Sequence, residues 1–261
     1  MERQLVWCAI GDSFTYLNDH LDETGNRVGK GYLSRTREKL TAPVTLVNLG
    51  INGSATADWL DQELEEADIY TILLGTNDWF SRHTPVGTGE DFRKCCPGTI
   101  LGNLACLVRR IRRYAADSPI IVMNPVERGD FVCISDWAHT AHGSYREEAG
   151  QTLHEVADMI YRTVEGPGVY PVDLHARSGF TVESAVAFKR LLVDGQVQDI
   201  PYPVYLETSY IPGTAPYPYP AEAAGMTYDG LHPSDQGNER IAQILSEVME
   251  RVLPGCGKGG K

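Results

Sequence analysis

Five strand-length apolar runs constrain this chain more than any other feature: LVWCAI (5–10), VTLVNLG (44–50), IYTILLG (69–75), IIVMNPV (120–126) and VYPVDLH (169–175). A half-buried strand alternates apolar with polar residues. These runs are apolar almost throughout, the pattern of strands covered on both faces, as in a parallel sheet. Between them the spacing predicts helices over about Leu33–Leu40, Ala57–Ala67, Thr99–Ala116 and Tyr145–Val164. A last helix follows Ser234, a good N-cap, and carries Ile241, Ile244, Leu245, Val248, Met249 and Val252 at three- and four-residue steps. Strands alternating with helices, joined by right-handed crossovers, make an α/β fold: a three-layer α/β/α sandwich around a five-stranded parallel sheet.

No internal repeat or linker divides the 261 residues, so the reading is a single domain over 1–261. Two stretches break the pattern. Residues 83–97 read as loop, and about 194–225 reads as an irregular Pro/Tyr-rich insertion (YIPGTAPYPYPAEAAG). Its many aromatics point to an ordered loop beside a site. The terminal GCGKGGK follows a helix instead of joining a strand to one, so it reads as a tail and not as a phosphate loop.

Charge and cysteines narrow the partners. A net charge of -12 argues against a nucleic-acid backbone, and the one dense basic run, RRIRR (109–113), sits in a helical pattern as a solvated face. No apolar run approaches the roughly 18 residues of a membrane span, and MERQLVWCAI lacks the features of a signal peptide. The expected location is the cytoplasm, with neither nucleic acid nor membrane as partner. Cys8, Cys95, Cys96, Cys106, Cys133 and Cys256 form no CxxC pair, and reduced thiols are the default in a cytosol. The sequence carries no signal for oligomeric state.

WCAIGDSFTY, beginning at Trp7, poses the chemical question: why does an apolar strand end by holding out Ser13? Gly, Asp and Ser are ordinary turn residues. Acyl transfer by a serine needs more, namely a base, an acid to orient the base, and donors for the oxyanion. YDGLHPSDQG sets Asp229 and His232 three residues apart just before the capped last helix. NLGINGSAT and LLGTNDW close the second and third strands with Gly53 and with Asn77, a backbone N–H and a side-chain amide suited to an oxyanion. Each fragment alone is a turn; four fragments at strand ends or before a helix are a constellation.

Gly11-Asp12-Ser13, Gly53 in NGSAT, Gly75-Thr76-Asn77-Asp78 and Asp229-Gly230-Leu231-His232 together resemble the four blocks of the SGNH (GDSL) hydrolase family, in family order from Gly11 to His232. The resemblance implies a flavodoxin-like sheet and an esterase or acylhydrolase. It implies Ser13 as nucleophile, His232 as base and Asp229 as its acid. Ser13 N–H, Gly53 N–H and Asn77 become the oxyanion donors. No Gly-x-Ser-x-Gly surrounds Ser13, so the α/β-hydrolase signature is absent.

The expected substrate is a small soluble carboxylic ester, with short acyl groups on carbohydrates among the candidates. A thioesterase, a lysophospholipase and an inactive binding protein on the same fold are the alternatives. A metal-dependent hydrolase would have to use His139, His142, Asp130 or Asp136 around DWAHTAH, which offers no HExxH and no complete ligand set. Neither a metal nor another cofactor is expected.

Overall fold

A computed structural model describes residues 4–208, 210–213 and 216–253. The strands are β1 (Leu5–Gly11), β2 (Val44–Asn48), β3 (Ile69–Leu73), β4 (Ile120–Met123), β5 (Phe131–Val132), β6 (Thr140–Ala141), β7 (Val169–Val172), β8 (Phe188–Val193) and β9 (Gln196–Pro201). The helices are α1 (Ser13–Tyr16), α2 (Tyr32–Lys39), α3 (Thr76–Phe80), α4 (Gly89–Lys94), α5 (Ile100–Tyr114), α6 (Leu153–Thr163), α7 (Leu174–Arg177), α8 (Val182–Ala185) and α9 (Asp235–Val252). The five apolar runs form one parallel sheet in the order β2-β1-β3-β4-β7, the flavodoxin-like arrangement.

The doubly apolar strands are explained by two cores. On β1, Trp7 and Ala9 face one core while Cys8 and Ile10 face the other. β3 divides likewise, Ile69 and Leu73 against Tyr70 and Ile72, and β4 sets Ile121 and Met123 against Ile120 and Val122. α9 covers the first core through Ile241, Ile244, Leu245 and Met249. α5 and α6 cover the second through Leu104, Ile111, Val156 and Ile160. Each such side chain contributes about 1.5–3 kcal/mol on burial. Because the strands are parallel, their carboxyl ends share one edge, and that edge carries the site.

Four stretches differ from the sequence reading. No α-helix spans Ala57–Ala67: a 3-10 turn, Thr56–Trp59, leads into irregular chain. Asp58, Asp61, Glu63, Glu65 and Glu66 crowd this segment, and like charges three or four apart oppose a helix. Its carbonyls are satisfied from outside instead. Arg110 donates to the carbonyls of Trp59 and Gln62, and the Tyr70 hydroxyl to that of Glu65. The helix expected from Tyr145 begins only at Leu153, where Thr152 and Glu155 form a capping box. Upstream, Gly150 sits at φ +78° and Glu148 bridges to Gln151.

Residues 83–97 contain α4, started by a capping box of Thr88 and Asp91. The stretch from Asp194 is not wholly irregular, because β8 and β9 form a hairpin across Asp194 and Gly195. Both turn residues have positive φ, +50° and +75°, as an Asp-Gly hairpin turn requires. Beyond it, Tyr205, Tyr217 and Tyr219 bury against Val132 and Val186 in a third apolar cluster. The basic run is partly spent on structure, with Arg109, Arg110 and Arg112 all donating to backbone carbonyls.

Cys8, Cys95, Cys96, Cys106 and Cys133 are free thiols, while Cys256 and the GCGKGGK tail lie outside the described residues. Among the described residues no helix is long and apolar enough to cross a membrane.

Candidate active site

β1 ends at Gly11, where a Cβ would stand 2.0 Å from Thr15 Oγ1, so the chain can fold back onto α1 only with glycine there. Asp12 then caps α1, its Oδ1 accepting the Phe14 N–H at 3.1 Å. Ser13 is thereby the first helical residue. Its own N–H belongs to the first turn, where no intrahelical acceptor exists.

The partner loop is built by hydrogen bonds around one carboxylate. Asp229 Oδ1 accepts the N–H groups of Leu231 at 3.0 Å and His232 at 2.7 Å. Gly230, at φ +91°, lies so close to the Asp130 carbonyl that a Cβ would come within 1.8 Å of it. This turn delivers His232 to Ser13, 219 residues away in sequence. His232 Nδ1 is 2.7 Å from Asp229 Oδ2, and Nε2 is 2.9 Å from Ser13 Oγ. A carboxylate only accepts, so Nδ1 carries the proton and Nε2 presents its lone pair to the Ser13 hydroxyl. Tyr228 stacks on the imidazole at 6.0 Å and Phe131 meets it edge-on at 5.4 Å, holding the ring in place.

Gly53 and Asn77 arrive at the same edge. The Gly53 loop is tied to the end of β1 by Ile51 N–H and Ser54 Oγ, which donate to the Gly11 carbonyl at 3.0 and 3.2 Å. Gly53 itself has φ +72° and open space around it. Asn77 Nδ2 donates to the Ser54 carbonyl at 3.0 Å, which fixes its amide beside that loop and leaves its second N–H available. All five residues singled out from the sequence are therefore linked to this one edge of the sheet.

Residues to which the sequence assigned no role complete the site. Asp78 is fully buried and accepts from Thr56 N–H and Thr56 Oγ1, locking the end of the Gly53 loop to α3. Burial raises its carboxyl pKa. Beside His232 lies a cavity of about 170 Å³ walled by Leu17, Asn52, Phe131, Ile134 and Tyr228. Asn52 adjoins the Gly53 block and was within reach of motif reading; Phe131 of β5 and Ile134 just after it lie in no motif. Of the residues weighed for a metal, Asp130 pairs with Lys189, His142 with Glu148, and His139 packs edge-on against Phe131. Among the described residues those groups do not converge as a ligand set.

Asp12 makes the site pH-sensitive. Burial pushes its carboxyl from 3.8 up to about 7, and the nearby His232 only partly offsets this. A raised acid contributes its full stability below the unfolded value and loses it as pH rises through the folded one. Between pH 5 and 8 that loss amounts to about 3 kcal/mol. Asp12→Asn keeps a capping oxygen and removes the titration. Thermal melts at pH 5 and 8 should show the native protein losing more stability than Asp12→Asn over this interval, and equal losses would refute the burial argument.

Ser13, His232 and Asp229 thus meet in one hydrogen-bonded chain at the carboxyl edge of a flavodoxin-like sheet. Residues 9–240 match the GDSL-like lipase/acylhydrolase family, and the chain belongs to it. It is 39% identical to a possible lipase from Chitinophaga pinensis DSM 2588, with a TM-score of 0.91 over 95% of this chain and 98% of that one. A carbohydrate acetylesterase family member from Sinorhizobium meliloti shares the fold at 14% identity, with a TM-score of 0.53 over 96% and 99% of the two chains. A protein from Lactobacillus plantarum does so at 17% identity and a TM-score of 0.60, over 96% and 99%. No curated protein matches the chain.

Proposed function

We propose that the protein hydrolyses small carboxylic esters through an acyl-enzyme on Ser13. The observation that carries this reading is the 2.9 Å contact between Ser13 Oγ and an imidazole already oriented by Asp229. His232 Nε2 takes the hydroxyl proton as Oγ attacks the ester carbonyl, and Asp229 stabilises the imidazolium that results. The oxyanion is received by Ser13 N–H, Gly53 N–H and the free N–H of Asn77. His232 then protonates the leaving alcohol. Water, deprotonated by the same nitrogen, attacks the acyl group, and Ser13 is regenerated.

The substrate reading follows from space. A cavity of about 170 Å³ holds only five or six water volumes at roughly 30 Å³ each. Space of that size beside His232 favours an acetyl to butyryl group over a fatty acyl tail. Short acyl esters of small alcohols, including carbohydrates, are the substrates we favour over lysophospholipids. The proposal takes the chain as one hydrolase domain acting in the cytoplasm, a reducing compartment in keeping with its free thiols.

A panel of p-nitrophenyl esters from two to twelve carbons tests the substrate reading. kcat/KM should be highest at two to four carbons and fall steeply by eight. A maximum at eight or more would overturn it.

A further inference from the structure

We propose that Glu127, His154 and His175 form a binding site for a divalent transition-metal cation of the zinc class, distinct from the Ser13 site. Their donor atoms all lie within 4.8 Å of one another. His154 Nδ1 is 3.1 Å from His175 Nε2, and that nitrogen is 3.6 Å from Glu127 Oε1. A tetrahedral cation bonded to nitrogen and oxygen at about 2.0–2.2 Å sets its ligand atoms roughly 3.3–3.5 Å apart. Both separations are within a few tenths of an ångström of that requirement.

The central ligand is oriented independently of any cation. His175 Nδ1 is 2.9 Å from the Pro125 carbonyl, and a carbonyl only accepts, so Nδ1 carries a proton and, in the neutral imidazole that a cation would bind, the lone pair is on Nε2. Nε2 is the atom that faces the other two ligands. A histidine whose far nitrogen donates to a carbonyl is the usual second-shell arrangement of a metal ligand. The backbone beneath it is equally constrained. His175 N–H donates to the buried Asn124 Oδ1 at 2.9 Å, and Asn124 Nδ2 donates to Asp173 Oδ1 and to the Ala157 carbonyl, each at 3.0 Å. Asp173 in turn caps α7.

The donor set selects the cation. Two imidazoles and one carboxylate suit zinc, cobalt or nickel, whereas calcium and magnesium take oxygen ligands. His154 is exposed, so the cation enters from solvent and water fills its fourth position. Glu127 follows β4, His154 opens α6 and His175 opens α7, and a bound cation therefore cross-links three segments distant in sequence. Its effect is to clamp the carboxyl edge at the β4–β7 side. The rival arrangement needs no cation: His175 pairs with Glu127 at 3.6 Å and His154 lies within hydrogen-bond distance of the same nitrogen.

Chelator-stripped full-length protein titrated with Zn²⁺ and Co²⁺, by calorimetry and thermal melting, separates the two. One equivalent should bind, and Tm should rise by about 5 °C or more at a hundredfold excess over Kd. The Co²⁺ complex should show nitrogen/oxygen ligation without thiolate charge-transfer bands, which excludes Cys95 and its neighbours as the binding groups. Glu127→Gln and His154→Ala should each weaken binding at least tenfold while their metal-free Tm values stay near that of the metal-free native protein. Absence of a metal-dependent Tm rise, thiolate bands, or unchanged affinity in both variants would overturn the proposal.

Discussion

Replacing Ser13 with alanine is expected to lower kcat for ester hydrolysis by about 10⁴- to 10⁶-fold while leaving the fold intact. The two effects separate because the hydroxyl makes one hydrogen bond, to His232, and little packing depends on it. Losing one such bond costs about 1 kcal/mol, or roughly 2–4 °C in Tm for a chain of this size. Ser13, His232 and Asp229 act as a unit in the proposed mechanism, so their losses should not add. A Ser13→Ala/His232→Ala double variant should be nearly as active as either single one. Kinetics and melting of the three variants check this, and substantial residual activity in Ser13→Ala would remove the nucleophile from the mechanism.

Asn77→Ala should reduce kcat by roughly 100- to 1000-fold, about 3–4 kcal/mol, with a much smaller change in KM. An amide N–H aimed at developing charge binds the transition state more tightly than the neutral carbonyl, which is the pattern of a kcat loss. The structure sharpens the expectation. The side chain also holds the Ser54 carbonyl at 3.0 Å, so its truncation loosens the Gly53 loop as well as removing a donor. Asn77→Asp should be at least as damaging, because a carboxylate offers no donor and repels both the oxyanion and the Ser54 carbonyl. Steady-state kinetics paired with Tm decide the matter. Near-native kcat in a destabilised protein would leave Asn77 as a turn residue.

The sheet and the site were legible for different reasons. The strands could be read from their apolar runs, and on the inner strands β1, β3 and β4 alternate residues do face separate cores, while the edge strands β2 and β7 are only partly buried. Ser13, Gly53, Asn77, Asp229 and His232 could be singled out because their fragments follow strands or lead into helices and match four family blocks in order, and the structure brings them to one edge of the sheet. Local chemistry fails where long-range partners decide. Leu64 and Ala67 have the spacing of a helix face, yet Arg110 and Tyr70, from other elements, take the carbonyls that a helix would need. The cavity wall formed by Phe131 and Ile134 is likewise set by tertiary packing, since neither lies in a motif.

Other misses left local signals. The Asp194-Gly195 turn marks the hairpin, and the Thr88–Asp91 and Thr152–Glu155 pairs mark helix starts. Asp12 is a different case. Its role as the cap that presents Ser13 follows from its place before α1, but its raised pKa depends on burial, which only the folded chain reveals.

The most direct measurement of the central claim is covalent labelling of the native protein with an organophosphonate, followed by mass spectrometric mapping of the adduct. Phosphorus is attacked by the same activated oxygen that would attack an ester carbonyl, and the adduct is stable enough to locate. A single adduct on Ser13, formed as activity is lost and absent from Ser13→Ala and greatly slowed in His232→Ala, is the predicted result. Labelling and inactivation at any other residue, or undiminished ester hydrolysis with Ser13 fully modified, would contradict it.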